Sequence, residues 1–389
     1  MTADIVYIDD EPEQLLLAAR VHRARDRFAD FVPPDLVGAD EVAAAANLWV
    51  FDFFNDDQQR QNPALAGMSS NGLSVFQQFR LLVGDARPPA VVVSNHLEAA
   101  LGRVITPDRR HILAEEVGVE WVTPKQQAGE DVVAEILSLA NGTAALREIS
   151  AQLEGAEPSA YFAELARFGL KLPQNVEWSR AAVRDVAAWR PPTWSNVRAD
   201  QRRTALRQQL PAQPGLRSVR SLVAWLIRQA LPYPSFLVRD RHVALRLGLT
   251  LECLRDVLGA ESQLTKRLRR AAYKGALFDF AGNRWWSAGI DAIAWGLPKQ
   301  EEQRSATLRE LIDPVPLAML ELADPVLVSD ADLVETDEIA AALVCVRAAD
   351  EHFPPHASPA WVKIEDARQD KDLARKVKLE DQPELVVAA

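Results

Sequence analysis

Short runs of apolar, often β-branched residues alternate with stretches of helical period through the first third of the chain. DIVYIDD (4–10) reads as a buried strand ending in acids. Glu11-Pro12 then opens a helix to about Arg25, with Leu15, Leu16, Leu17 and Val21 on its apolar face. Residues 28–32 make a second strand, 39–46 a short Ala-rich helix, and NLWVFDFF (47–54) a third strand with Asp52 near its end. Residues 55–71 are polar and predict a long loop, and 73–83 have helical period. PAVVVSN (89–95) predicts a fourth strand ending at Ser94, 108–117 a helix, and VEWVTP (119–124) a fifth strand followed by Lys125. A helix starting at Asp131 runs on toward and past Gly142. Strands apolar on both faces, alternating with helices, predict an α/β fold with a doubly wound, parallel five-stranded sheet over 1–140.

Beyond it the pattern turns mainly α-helical. Residues 141–216 form a connector broken by Pro158, Pro173, Pro191, Pro192, Pro211 and Pro214, with an amphipathic helix at 161–172 and a linker at 189–194. Residues 217–300 form a basic helical domain. Its first helix, 219–230, turns Leu222, Trp225, Leu226 and Ala230 inward. LPYPSF (231–236) is a turn, and helices follow at about 240–247, 250–258 and 261–274. LFDFAGNRWWSAGI (277–290) predicts a hairpin: Phe278 and Phe280 on one arm, a Gly282-Asn283 turn, then Trp285 and Trp286 as core anchors. Residues 301–389 read as an acidic helical region, including one packed helix within 330–353. The charged tail after Trp361 reads as a solvated helix or an arm.

Composition narrows the class. With 48% hydrophobic and 25% charged residues in 389, the chain as a whole is not a disordered one. No run of about 18 apolar residues predicts a membrane span. The start lacks a basic region, and two distant cysteines, Cys253 and Cys345, exclude a disulfide framework or a zinc-finger array. The expectation is a cytoplasmic protein. Charge is segregated. Residues 1–127 hold 19 acids and 11 bases, 198–284 hold 6 acids and 17 bases, and 305–389 hold 18 acids and 8 bases. A basic middle between acidic ends fits nucleic acid, an acidic partner, masking by the chain's own acids, or simply solvated arginine-rich helices. Opposed charges also suggest that residues 362–389 fold onto the middle.

In parallel α/β sheets the site lies beyond the carboxyl ends of the strands. Here those ends carry Asp9 and Asp10, then Asp52, Ser94 and Lys125. Clustered carboxylates repel, and a hard divalent cation such as Mg²⁺ removes the conflict. A carboxylate so held can attack phosphorus and form an acyl phosphate, with the Ser94 hydroxyl and the Lys125 ammonium on the transferred oxygens. Acids without histidine also argue against zinc hydrolysis.

IVYIDDEP, WVFDFF, VVVSNH and GVEWVTPK together resemble the receiver domain of bacterial response regulators, the CheY-like fold, over about residues 1–140. The resemblance implies that Asp52 is the phosphoacceptor and that Asp9, Asp10, Asp52 and the Phe54 backbone carbonyl hold Mg²⁺. Ser94 and Lys125 would sense the acyl phosphate, with Trp121 as the aromatic switch residue. It implies a histidine kinase or phosphorelay protein as donor, and no enzymatic activity beyond the domain's own phosphotransfer and dephosphorylation. Two features differ from the family: Pro124 precedes Lys125 instead of following it, and the stretch from Asp52 to Ser94 is longer.

The output is open. The helical C-terminal region docks a protein partner or self-associates, binds DNA, or is an enzymatic effector; or the chain is a scaffold or phosphate reservoir without an output of its own. A helix bearing Lys266, Arg267, Arg269, Arg270 and Lys274 followed by a hairpin has the outline of a winged helix. No catalytic set emerges after residue 150, and no glycine-rich phosphate loop is present. His352 and His356 are separated by Pro354-Pro355, so they do not form a helical metal pair.

Overall fold

The structure, a computed structural model, describes residues 5–8, 29–32, 46–52, 76, 87–93, 109–124, 130–153, 158–189 and 216–385. In chain order its first elements are β1 (Ile5–Ile8), β2 (Ala29–Val32), β3 (Leu48–Asp52), β4 (Ala90–Val93), α1 (Arg110–Val117), β5 (Trp121–Thr123), α2 (Glu130–Gln152), α3 (Pro158–Gly169) and α4 (Ser179–Trp189). There follow α5 (Leu216–Trp225), β6 (Leu237–Val238), α6 (Asp240–Leu247), α7 (Leu251–Gly259), α8 (Gln263–Ala271), α9 (Phe278–Ala281), β7 (Trp285–Trp286), α10 (Ser287–Trp295) and α11 (Glu301–Ile312). The chain closes with β8 (Pro325–Ser329), β9 (Glu335–Ala341), β10 (Cys345–Ala348), β11 (Ala360–Lys363), α12 (Ile364–Gln369) and α13 (Lys371–Lys376). No described helix is long and apolar enough to cross a membrane. Two compact units interleave along the chain. One takes 1–172, 190–232 and 274–282; the other takes 173–189, 233–273 and 283–389.

The first unit is built on a parallel sheet of order β2-β1-β3-β4-β5. Its strands are apolar along their length because both faces are covered: Ile5, Val6, Leu48, Phe51 and the whole of β4 are buried. α1 stops at Gly118, whose φ of 79° closes the helix before β5. α2 runs through Gly142 without a break. A Cβ there would stand 2.5 Å from Leu277 Cδ2, so the missing side chain admits Leu277, and α9 packs on α2. α5 continues as a wider turn over Leu226–Ala230, and Leu222, Trp225, Leu226 and Ala230 are all buried, as their spacing predicts.

The second unit holds α6, α7 and α8, which match the predicted helices closely, although α8 ends at Ala271 and leaves Lys274 beyond it. The predicted hairpin over 277–290 is not formed. Residues 278–281 are helical, and Trp285–Trp286 pairs antiparallel with Leu237–Val238. The second antiparallel neighbour is Ala272, bridged to Trp285, with the Tyr273 amide donating to the Arg284 carbonyl at 2.8 Å. The alternation Phe278-x-Phe280 is therefore not that of a strand. Leu277 at φ 63° opens a turn of helix, Leu277 is buried and Phe278 is half exposed. Trp285 and Trp286 are core anchors as expected.

The helical expectation for the C-terminal region also needs correction. Residues 330–353 are not a helix: β9 and β10 lie there, in a four-stranded sheet of order β10-β11-β8-β9. The strand β8, PVLVS, offers β9 a hydrogen-bonding edge, and the Thr336 hydroxyl donates to the Val328 carbonyl at 2.8 Å. Pairing outweighs the weak strand preference of Glu, Asp and Ala in β9. The tail after Trp361 is packed: Val362, Ala367, Leu373 and Val377 share a core with Val346 and Ala348. Asp381 takes two hydrogen bonds from the Arg347 guanidinium, at 2.6 and 2.9 Å.

Candidate functional site

Parallel pairing brings the carboxyl ends of four neighbouring strands to one edge. Ile8 lies opposite Phe51, Asp52 opposite Val93, and Val93 opposite Thr123. Asp52 is the last residue of β3, the central strand, between β1 and β4. Asp9 follows directly on the end of β1 in sequence, and Ser94 on the end of β4. Asp9, Asp10, Phe54, Ser94 and Lys125 themselves lie outside the described residues, as does the Asp52 side chain. Among the described residues no group of three or more His, Cys, Asp or Glu is set to hold a metal ion. The oxygen-only donor set of the expected site, three carboxylates and a carbonyl, is of the kind that suits Mg²⁺.

The flank of this edge is described in detail. Trp121 sits on β5 as predicted. Its indole N–H donates to Glu135 Oε2 at 3.1 Å, and its ring meets Phe280 edge-on with centroids 5.1 Å apart. Arg110 of α1 reaches both Glu135, at 3.7 Å, and the Thr123 hydroxyl, at 3.4 Å. Thr123, at the end of β5, is fully buried. The indole is thus held by a carboxylate that an arginine also engages, a polar link that sequence reading did not anticipate.

The opposite, amino edge of the same sheet carries a buried ionic centre that the sequence did not announce. Arg87 precedes β4 and Glu120 precedes β5, and both are enclosed. Arg87 Nη1 donates to Glu120 Oε2 at 2.8 Å and Nη2 to Glu120 Oε1 at 3.3 Å. Arg220 of α5 adds a contact to Oε1 at 3.3 Å, and the Ala90 amide donates to Oε2 at 2.6 Å. Arg87 also donates to the Pro88 and Gly118 carbonyls and lies 4.7 Å from the Phe76 ring centroid. Arg228 donates to the Val119 carbonyl. Burial pushes Glu120 toward the neutral form, but Arg87, Arg220 and Arg228 overcome that and hold its carboxyl below the ordinary glutamate range. Burial lowers the Arg87 pKa, and Glu120 opposes the shift. A lone Arg before Pro-Pro and a lone Glu before Trp-Val look solvated in sequence; only the fold brings them together.

In the second unit Lys266, Arg267, Arg269 and Arg270 all project from the exposed side of α8. Lys274 is likewise exposed, in the first unit. Arg269 pairs with Glu261 at 2.6 Å. Opposite charges do meet in this unit, at β9. His242 Nε2 lies 3.0 Å from Glu335, and Arg241 and Arg255 each lie 3.7 Å from Asp337. His352 and His356 share a Pro-containing loop with no helix, in keeping with their sequence. The chain matches no protein-family model, no curated protein and no solved structure.

Proposed function

We propose that the first unit is a receiver-like phosphoacceptor domain with Asp52 as its nucleophile. The observation that carries this reading is the position of Asp52 in the sheet. In a parallel sheet of order 2-1-3-4-5 the strand order reverses between β1 and β3, and ligands bind outside the carboxyl ends at such a switch point. Asp52 terminates β3 there. In sequence Asp9 and Asp10 follow directly on β1, the strand that pairs with β3.

In this reading the donor is a phosphohistidine on a kinase or relay protein. The Asp52 carboxylate attacks phosphorus, an O–P bond forms, the P–N bond breaks, and the imidazole leaves with a proton from solvent. Asp9, Asp10, Asp52 and the Phe54 carbonyl would hold Mg²⁺, which when bound offsets the crowded negative charge of carboxylates and phosphoryl oxygens. Ser94 and Lys125 would donate to the phosphoryl oxygens. The added charge would be felt at Trp121, whose partner Glu135 also faces Arg110.

Incubation with acetyl phosphate or phosphoramidate and Mg²⁺, followed by intact mass spectrometry, tests it. Wild type gains one phosphoryl group and Asp52→Asn gains none. An unmodified wild type, or equal modification of both, overturns the reading.

A further inference from the structure

We infer that the exposed face of α8 is a contact surface for duplex DNA. This inference stands on the second unit and is independent of the phosphoacceptor reading. α7 and α8 are joined by three residues, Ala260, Glu261 and Ser262, and the buried Ser262 and Thr265 tie the joint. Ser262 Oγ accepts the Thr265 amide at 3.0 Å and meets the Thr265 hydroxyl at 2.8 Å, and that hydroxyl donates back to the Val257 carbonyl at 2.6 Å. These bonds tie the first turn of α8 to the last turn of α7 across a joint as short as that of a helix–turn–helix. Leu264, Leu268 and Ala271 anchor one stripe of α8 in the core, and the short antiparallel pairing of Ala272 with Trp285 backs its end.

The opposite stripe holds Gln263, Lys266, Arg267 and Arg270, spaced i, i+3, i+4 and i+7 and all exposed. α8 contains no acid. Among the described residues none of Lys266, Arg267 and Arg270 is in close ion-pair contact; Arg269 pairs with Glu261, whose carboxylate also feels the Lys266 charge. Lys266 and Arg270 stand one turn apart, where like charges weaken a helix. A cationic row tolerated at that cost calls for an anionic partner.

The chemistry of the row selects among anions. An acidic protein would be expected to dock around an apolar anchor, and this face offers none. Single-stranded nucleic acid needs aromatic platforms, whereas Tyr273, Trp285 and Trp286 beside α8 are buried. Nine residues give a helix roughly 13 Å long, comparable to the width of the major groove. Gln263 stands at the amino end, where recognition helices meet base edges, and Gln pairs with adenine as Arg does with guanine.

The test uses the full chain, a fluorescein-labelled duplex of random sequence, and anisotropy at two salt concentrations. If each of the three cations meets one phosphate, the salt slope changes by about 2.7 on log–log axes when all three are removed. Wild type should then lose about 40-fold in affinity between about 50 and 200 mM salt through these contacts alone. The variant Lys266→Gln, Arg267→Gln, Arg270→Gln should lose that component. A control with the same charge loss at exposed sites elsewhere, Arg180→Gln, Lys299→Gln, Arg309→Gln, should keep it. In wild-type protein, DNA should shield Lys266 but not Lys299 from acetylation, a readout that requires no variant. The inference fails if wild type binds no duplex at low salt, if both variants weaken equally, if Lys266 is not shielded, or if single strands or polyglutamate bind more tightly than duplex.

Discussion

Replacing Glu120 by glutamine keeps the shape of the amino-edge centre and removes a carboxylate on which Arg87, Arg220 and Arg228 all act. The change leaves the Arg87 guanidinium enclosed, with its principal counter-charge gone. Breaking a buried pair from one side costs about 3–5 kcal/mol, because the remaining ion stays desolvated. That is a large share of the 5–15 kcal/mol typical of a domain. The double variant Arg87→Met, Glu120→Leu should recover part of it, since it removes the enclosed Arg87 charge but leaves the buried Ala90 amide without its Glu120 acceptor. A global melt would mix the two units, so the assay is hydrogen exchange read on peptides covering 88–93 and 119–123, which flank the centre. The pH dependence has a definite sign. Glu120 is depressed in the folded state, so its stabilisation is present above the unfolded glutamate pKa of about 4.3 and fades as pH falls through the lower folded value. Glu120→Gln should lack this acid-side loss. An opening free energy within about 1 kcal/mol of wild type at neutral pH would refute the account of the centre.

Gly289→Ala should destabilise the second unit by about 1–3 kcal/mol in denaturant titration, because its Cβ would stand 2.7 Å from Ala271 Cβ and 3.0 Å from the Trp178 ring. Thr265→Val removes the hydroxyl that ties α8 to the Val257 carbonyl. A loss of about 1–3 kcal/mol is expected, read as faster amide exchange across 257–268 with little change in the C-terminal sheet. Truncation after Lys363 removes the buried Ala367, Leu373 and Val377 from the core they share with Val346 and Ala348. The expected outcome is loss of protection in β10 and β11 during limited proteolysis, not silent removal of a tail.

The strands of the first unit were legible because a parallel sheet covered on both faces demands continuous apolar runs, and IVYI, LWVFD, AVVV and WVT are such runs. Helices α5 to α8 were legible by their inward spacing. The C-terminal sheet was not. ETDEIAA carries the acids and alanines of a helix, and it becomes a strand only because PVLVS lies alongside. The arm at Trp285 failed differently. Its antiparallel partners, Val238 and Ala272, lie far back in sequence, and a local turn signal at Gly282-Asn283 pointed to the wrong neighbour. Of the candidate site, sequence supplied residue types and order. It could not supply the Arg87–Glu120 centre or the Trp121–Glu135–Arg110 link, since each joins single polar residues that are unremarkable in isolation.

Removing charge at the carboxyl rim should abolish the response to Mg²⁺ and removing it at the amino edge should leave that response intact, which separates site from scaffold. If Asp9, Asp10 and Asp52 share a cation, the metal binds the folded state and not the unfolded chain. It then stabilises by about 1.4 kcal/mol at ten times its Kd. Asp52→Asn removes one ligand and one of the repelling charges. The variant should be as stable as wild type or more so without Mg²⁺, and should gain little from adding it. Glu120→Gln should be less stable throughout yet gain from Mg²⁺ as wild type does, because the amino edge has no part in holding the ion. Hydrogen exchange of 90–93, with and without Mg²⁺, distinguishes the two behaviours. Equal Mg²⁺ protection in wild type and Asp52→Asn would mean that the ion binds elsewhere. The case for a nucleophile at the end of β3 would then lose its chemistry, although the sheet that presents Asp52 would be untouched.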